Sequence, residues 1–146
     1  MRYGFAGKVL HVDLSHNTLT IEEPPEEFYR TYWGGSLMGL YYLMQFTPAK
    51  ADPFGPENTL TFAISAPTGL AISGQSRATA VAKSPLTGCV GDSQAGGFWP
   101  AELKFAGFDA IVIRGAAPRP VYLWVHDGQA ELRDATHLWG LITGEA

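Results

Sequence analysis

Arg77, Lys83 and the glycine pair Gly96-Gly97 are the residues whose types and spacing could do chemistry in this chain. They fall in one stretch, Ser73 to Gly97, reading SGQSRATAVAKSPLTGCVGDSQAGG. A guanidinium, an ammonium and bare backbone N–H groups are what a phosphate or pyrophosphate prefers. Glycine lets the main chain approach such a ligand because no side chain stands in the way. The stretch is therefore a candidate surface for cradling the anionic end of a phosphorylated cofactor. The same Ser, Gly, Pro and Thr content also describes tight turns between short strands. The pattern is neither Gly-x-Gly-x-x-Gly nor a Walker loop, so spacing alone does not separate the two readings.

These residues need elements to position them. Arg77 to Lys83 alternates small and β-branched residues and predicts a strand with a cation at each end and room above it. The segment after it reads as turn-forming, closed by Gly96-Gly97. Trp99 to Ala106 predicts a short helix, begun by Pro100 and ended by Gly107, whose N-terminus would add a dipole beside the glycine pair. Upstream, Lys8–Leu14 and Thr18–Ile21 alternate around Ser15-His16-Asn17 and predict a hairpin. His11 falls on its polar side and His16 in its turn, and neither is given a role. Pro24-Pro25-Glu26-Glu27 opens a helix running to about Trp33 and stopped by Gly34-Gly35. Leu37, Leu40, Tyr41 and Met44 predict the core-facing side of a second helix, Leu37 to Gln45. Leu60–Ser65, Ala110–Arg114 and Val121–Val125 read as strands, and Asp127-Gly128 as a two-residue turn into Gln129–Arg133. The order β-β-α-α-β-β-α-β-β-β predicts an α+β fold, β-rich, with largely antiparallel sheets and a few short helices, not a doubly wound one.

Composition narrows the function classes. A chain of 146 residues is long enough for one domain with a real core. Its formal charge of −4 argues against nucleic-acid binding, which calls for a basic face. Only 16% of residues are charged, which implies that part of the surface is meant to be covered. The single cysteine, Cys89, excludes an internal disulfide framework and an iron–sulfur cluster held by this chain alone. Its ordinary reading is a small buried apolar residue. The N-terminal MRYGFAGK lacks an apolar core and no apolar run approaches 18 residues, so the expectation is a soluble cytoplasmic protein without membrane contact.

Several short motifs, in order along nearly the whole length, carry a resemblance. They are Gly4-Phe5-Ala6-Gly7-Lys8 with Val12-Asp13-Leu14, Trp33-Gly34-Gly35, and Asp52-Pro53-Phe54-Gly55-Pro56-Glu57-Asn58. Ala82-Lys83-Ser84-Pro85-Leu86-Thr87-Gly88, Gly96-Gly97-Phe98 and Glu102-Leu103-Lys104-Phe105-Ala106-Gly107-Phe108-Asp109-Ala110 follow. Together they resemble the N-terminal domain of the tungsten-dependent aldehyde ferredoxin oxidoreductase family.

The resemblance implies a β-rich base for a tungsten or molybdenum bis-pterin cofactor whose phosphates are bridged by magnesium. By position it implies that Arg77 and Gly96 contact the pterin. Gln94 stands where many members have asparagine, keeps the amide oxygen one methylene further out, and is the implied magnesium ligand. Asp92 is a second oxygen donor nearby. Ser36 stands where the family often has arginine, and Lys83 is open to either cofactor contact or turn stabilisation. No catalytic residue is assigned. The implied activity is oxidation of an aldehyde to an acid, with electrons passed to ferredoxin through a 4Fe-4S cluster in further domains. His137-Leu138-Trp139-Gly140 resembles continuing family sequence, so residues 1–146 are expected to be a single N-terminal cofactor-binding domain, the front of a longer enzyme. An uncovered base would also self-associate or need the further domains to cover it, and a homo-oligomer is expected. The alternative is a non-catalytic module of the same fold, free-standing or serving assembly.

Overall fold

Why the chain folds as it does is clearest from its central strands. The computed structural model describes residues 4–145. Eleven elements follow one another: β1 (Val9–Asp13), β2 (Thr18–Glu22), α1 (Glu26–Tyr32), α2 (Gly35–Phe46), β3 (Leu60–Ile64), β4 (Ala78–Lys83), β5 (Val90–Ala95), α3 (Trp99–Phe105), β6 (Ala110–Arg114), β7 (Val121–His126) and β8 (Gln129–Asp134). Six strands form one sheet in the order β2-β1-β6-β3-β4-β5, and β7-β8 is a separate hairpin. Only the β1–β6 pair is parallel. The expected α+β class and largely antiparallel sheet are found.

The pleat sends alternate residues of the central strands to opposite faces. On one face Val9, Ala63, Ala110 and Val112 meet Tyr29 of α1 and Met38 and Tyr42 of α2. On the other, Leu10, Val12, Ile64 and Ile111 meet Leu103 of α3, Phe108 and the inner side of the β7–β8 hairpin. The molecule thus has helices on one side of the sheet and a short helix with a hairpin on the other. Each large apolar side chain buried this way contributes about 1.5–3 kcal/mol.

Local chemistry sets the ends. The Asp13 carboxylate accepts from the backbone N–H of Ser15 and His16 at 3.0 and 3.1 Å and closes the β1–β2 turn. The His16 ring hydrogen-bonded to it holds that carboxyl below the usual range. Trp33 ends α1 in the left-handed region and donates its N–H to the Tyr29 carbonyl. A buried ion pair, Lys104 Nζ to Asp109 Oδ1 at 2.7 Å, ties the N-terminal segment down. Lys104 also donates to the Gly4 carbonyl, while Asp109 accepts from the backbone of Ala6 and Gly7.

Four expectations need correction. Residues 90–95 are an edge strand rather than a turn-forming segment, because pairing with β4 supplies what their own propensities lack. On α2 the buried residues are Met38, Gly39, Tyr42 and Leu43, whereas Leu37, Leu40 and Met44 are exposed. Both faces of that helix are apolar, so periodicity did not distinguish them. His11 is not on a solvated face: its ring packs edge-on to Tyr42 and Phe46 and bonds Glu22 at 2.6 Å. Cys89 is exposed, in the turn that leads into β5.

Candidate functional site

The candidate site is built on the last rungs of the β4–β5 ladder. Ala78 pairs with Ala95 and Thr79 with Gln94. Arg77 and Gly96 are the next residues outward on the two strands, where opposed backbones lie about 5 Å apart. A Cβ on Gly96 would stand 3.4 Å from the Ser76 carbonyl oxygen, so the glycine lies directly against the residue that precedes Arg77. The structure therefore brings Arg77, Gln94 and Gly96 to one end of one strand pair. All three are exposed.

Their surroundings leave them available. Among the described residues the Arg77 guanidinium has no hydrogen bond, ion pair or ring contact. Gly97 has φ +100, with open space where a Cβ would be, and among the described residues the N–H groups of Gly97 and Phe98 have no backbone acceptor. A free cation beside open backbone donors can receive an anion without first breaking an internal bond. Asp92 and Gln94 are exposed on alternate residues of β5, which places their side chains on one face. No cluster of three or more His, Cys, Asp or Glu that could hold a metal occurs among the described residues. A magnesium ion here would draw most of its six oxygens from ligand phosphates and water, the usual habit of that ion.

Lys83 lies at the far end of β4, roughly 3.3 Å per residue away from Arg77. Its ammonium donates to the Ala49 and Ala51 carbonyls at 3.0 and 2.7 Å, and its backbone is held by Asn58. Lys83 thus fastens the 48–58 loop, and is not part of the group around Arg77.

Two neighbours were not foreseen. Ser76 donates from Oγ to the Gly97 carbonyl at 2.6 Å, bridging the two strand ends. The Gly34-Gly35 pair, read as a helix stop and as part of a family motif, also starts α2 over β4: a Cβ on Gly35 would lie 3.4 Å from Thr79 Oγ1, one strand from Gln94. The positive end of α2 is therefore the long-helix dipole near this site, whereas α3, which begins at Trp99 after Phe98, spans only seven residues. The signal for Gly34-Gly35 was present in the sequence as an uncapped glycine pair before an apolar run; Ser76 carried none.

The opposite face of the same strands has the room that their small residues implied. Ala78, Ala80 and Ala95, with Phe62, Trp99 and Pro100, line a recess of about 410 Å³ whose edge also includes Gln94 and Gly96. A larger cleft of about 780 Å³ lies by α1, walled by Phe5, Pro24, Tyr29, Trp33 and Pro67, and contains none of Arg77, Gln94 or Gly96.

Comparison with known proteins adds a consistent set of likenesses. The profile of the family described as aldehyde ferredoxin oxidoreductase, N-terminal domain, matches residues 9–146. A tungsten-containing aldehyde ferredoxin oxidoreductase of Pyrococcus abyssi is 43% identical over 143 residues, which cover 98% of this chain and 24% of that protein. An aliphatic sulfonate oxidoreductase, WOR-like subunit, of Pyrococcus furiosus is 37% identical over 142 residues, with 95% of this chain and 22% of that one covered. Among solved structures, the active-site complex BamBC of benzoyl coenzyme A reductase with 1,5-dienoyl-CoA superposes with a TM-score of 0.91 at 38% identity, over 96% of this chain and 21% of that chain. The chain spans about a quarter of the length of the curated relatives it matches.

Proposed function

The chain belongs to the aldehyde ferredoxin oxidoreductase family, and from that premise we propose that it is the cofactor-holding N-terminal portion of an oxidoreductase carrying a tungsten or molybdenum bis-pterin. When bound, that group would supply the two-electron oxidation of an aldehyde and water to a carboxylic acid and two protons. The electrons would pass to ferredoxin through a 4Fe-4S cluster, which needs more cysteines than Cys89 alone provides. This chain's part is to bind and orient. Arg77 pairs with the anionic end of the cofactor, Gly96 lets the pterin lie against bare backbone, and the Gln94 amide oxygen takes one magnesium position, with Asp92 as a neighbouring oxygen. The acid–base groups come from further domains of the same enzyme.

The observation that carries this reading is the unpaired Arg77 beside Gly96 at the open end of β4 and β5. The recess of small residues and the exposed apolar side chains Leu37, Leu40, Met44, Leu70, Ile72 and Phe98 support it, as surfaces that the further domains or a second copy would cover. No helix among the described residues is long and apolar enough to cross a membrane, and a cytoplasmic location forms part of the proposal. Relatives that act on aldehydes and aliphatic sulfonates share this portion, so substrate choice is assigned to other parts of the enzyme.

Metal analysis and pterin fluorescence of the purified chain and its Arg77→Ala variant test the reading. A charge-assisted contact is worth about tenfold or more in retention, so the variant is expected to lose most of its pterin. Equal pterin in both would remove Arg77 from the site, and a chain that never acquires pterin or metal would leave the non-catalytic module standing.

A further inference from the structure

We propose that Ser76 is a positioning residue for the anion-facing end of the site, acting through Gly97. The inference rests on the cofactor reading above and deepens it. Ser76 sits between two side chains with different tasks. Behind it, Gln75 closes the preceding loop on itself, accepting from the Gly69 N–H at 3.0 Å and donating to the Leu70 carbonyl at 2.6 Å. In front of it, Arg77 is exposed and unpaired. Ser76 itself spans the gap between strands, its Oγ donating to the Gly97 carbonyl at 2.6 Å and its own carbonyl lying against Gly96.

Among the described residues this is the sole side-chain hydrogen bond between the 70–77 segment and the 96–98 turn. Two successive glycines have the widest backbone freedom of any dipeptide, and Gly97 is held in the left-handed region at φ +100. Without a tie, the Gly97 and Phe98 N–H groups would sample many directions, and an arriving anion would have to order them. The serine latch fixes the Gly97 carbonyl on the β4 side, which points the Phe98 N–H of the same trans peptide the opposite way and so sets the direction of the open turn beside Arg77 and Gly96. Preorganisation of this kind strengthens binding without touching the ligand.

The test uses the 146-residue chain with Ser76→Ala, Ser76→Thr and Arg77→Ala, expressed with tungstate or molybdate supplied. Retained metal and pterin per chain are measured, with the {1H}-15N NOE of Gly96 and Gly97 on the cofactor-free protein. Ser76→Ala is expected to lower the Gly97 NOE and to cut retention by up to about tenfold, the worth of one hydrogen bond. Ser76→Thr, which keeps the hydroxyl, restores both. Retention unchanged in Ser76→Ala while Arg77→Ala loses it overturns the latch and leaves the cofactor reading intact. Retention lost in Ser76→Ala with an unchanged Gly97 NOE also overturns it. Full retention in Arg77→Ala overturns the cofactor reading, and the latch falls with it.

Discussion

Tyr42 and Tyr29 stand between the helices and the sheet, and both phenols are held far from ionising. Burial raises the Tyr42 phenol most, and its hydrogen bond to Glu22 at 2.9 Å raises it further. Burial followed by the negative field of Asp109 does the same for Tyr29. Each keeps its proton longer in the folded chain than in the unfolded one. Their contribution to stability is therefore complete below the ordinary phenol value near 10 and is lost as pH rises beyond it. The expected outcome is alkaline unfolding that begins above about pH 10. In an absorbance titration these two of the six tyrosines would ionise only with loss of the fold; full ionisation with the far-UV spectrum intact would contradict it. At this scale the sequence was readable where a residue's chemistry is self-contained, as with Arg77 at a strand end. It was not readable for His11, whose alternation pointed outward while the crossing of α2 supplied Tyr42 and Phe46 to enclose it. Lys104 was hidden for the same reason: its burial depends on Asp109 and on the Gly4 carbonyl, 100 positions away.

α2 shows how packing can override a helix's own preferences. Gly39 lies mid-helix, where glycine ordinarily costs about 1 kcal/mol relative to alanine. A Cβ there would fall 2.4 Å from Val81 Cγ2 of β4, so the absent methyl is what lets the helix sit down on the sheet. Gly39→Ala is expected to lose about 1–3 kcal/mol rather than gain. Combined with Val81→Ala it should cost somewhat less than the two single losses added, because the second change removes the 2.4 Å contact and leaves only that with the residue-81 Cβ at 2.7 Å. Urea unfolding of the four proteins measures this, and strict additivity would show that the contact is not limiting. The hairpins were legible as elements because alternation and the Asp127-Gly128 turn are local signals; both turn residues have positive φ as such a turn demands. β5 was not legible. Val90-Gly91-Asp92-Ser93-Gln94-Ala95 holds one residue with a strong strand preference, and its extended form comes from the neighbouring edge. That omission mattered for the site, since Gln94 and Gly96 gain their place opposite Thr79 and Arg77 only once β5 is a strand.

Across the whole molecule, the scattered motifs that carried the family resemblance prove to be contacts. Gly4 to Gly7 meets Lys104 and Asp109, and Asn58 meets Lys83, so pieces remote in sequence are adjacent in space. The unpaired rim around Arg77 and the exposed Leu37, Leu40 and Met44 on the outer side of α2 are the surfaces that, under the proposed function, other polypeptide would cover. β6 lies between β1 and β3, so the strand that joins the two halves is the sixth to be made. During synthesis the first hairpin and the β3–β5 unit leave the ribosome as separate pieces with no shared edge. Residues 110–114 then arrive and seal both sides at once. A nascent chain released before Ala110 is expected to show no slowly exchanging amides in Val9–Asp13, whereas one extended through Asp134 protects them. Protection of the early strand in the shorter chain would mean that the halves can find each other without their keystone.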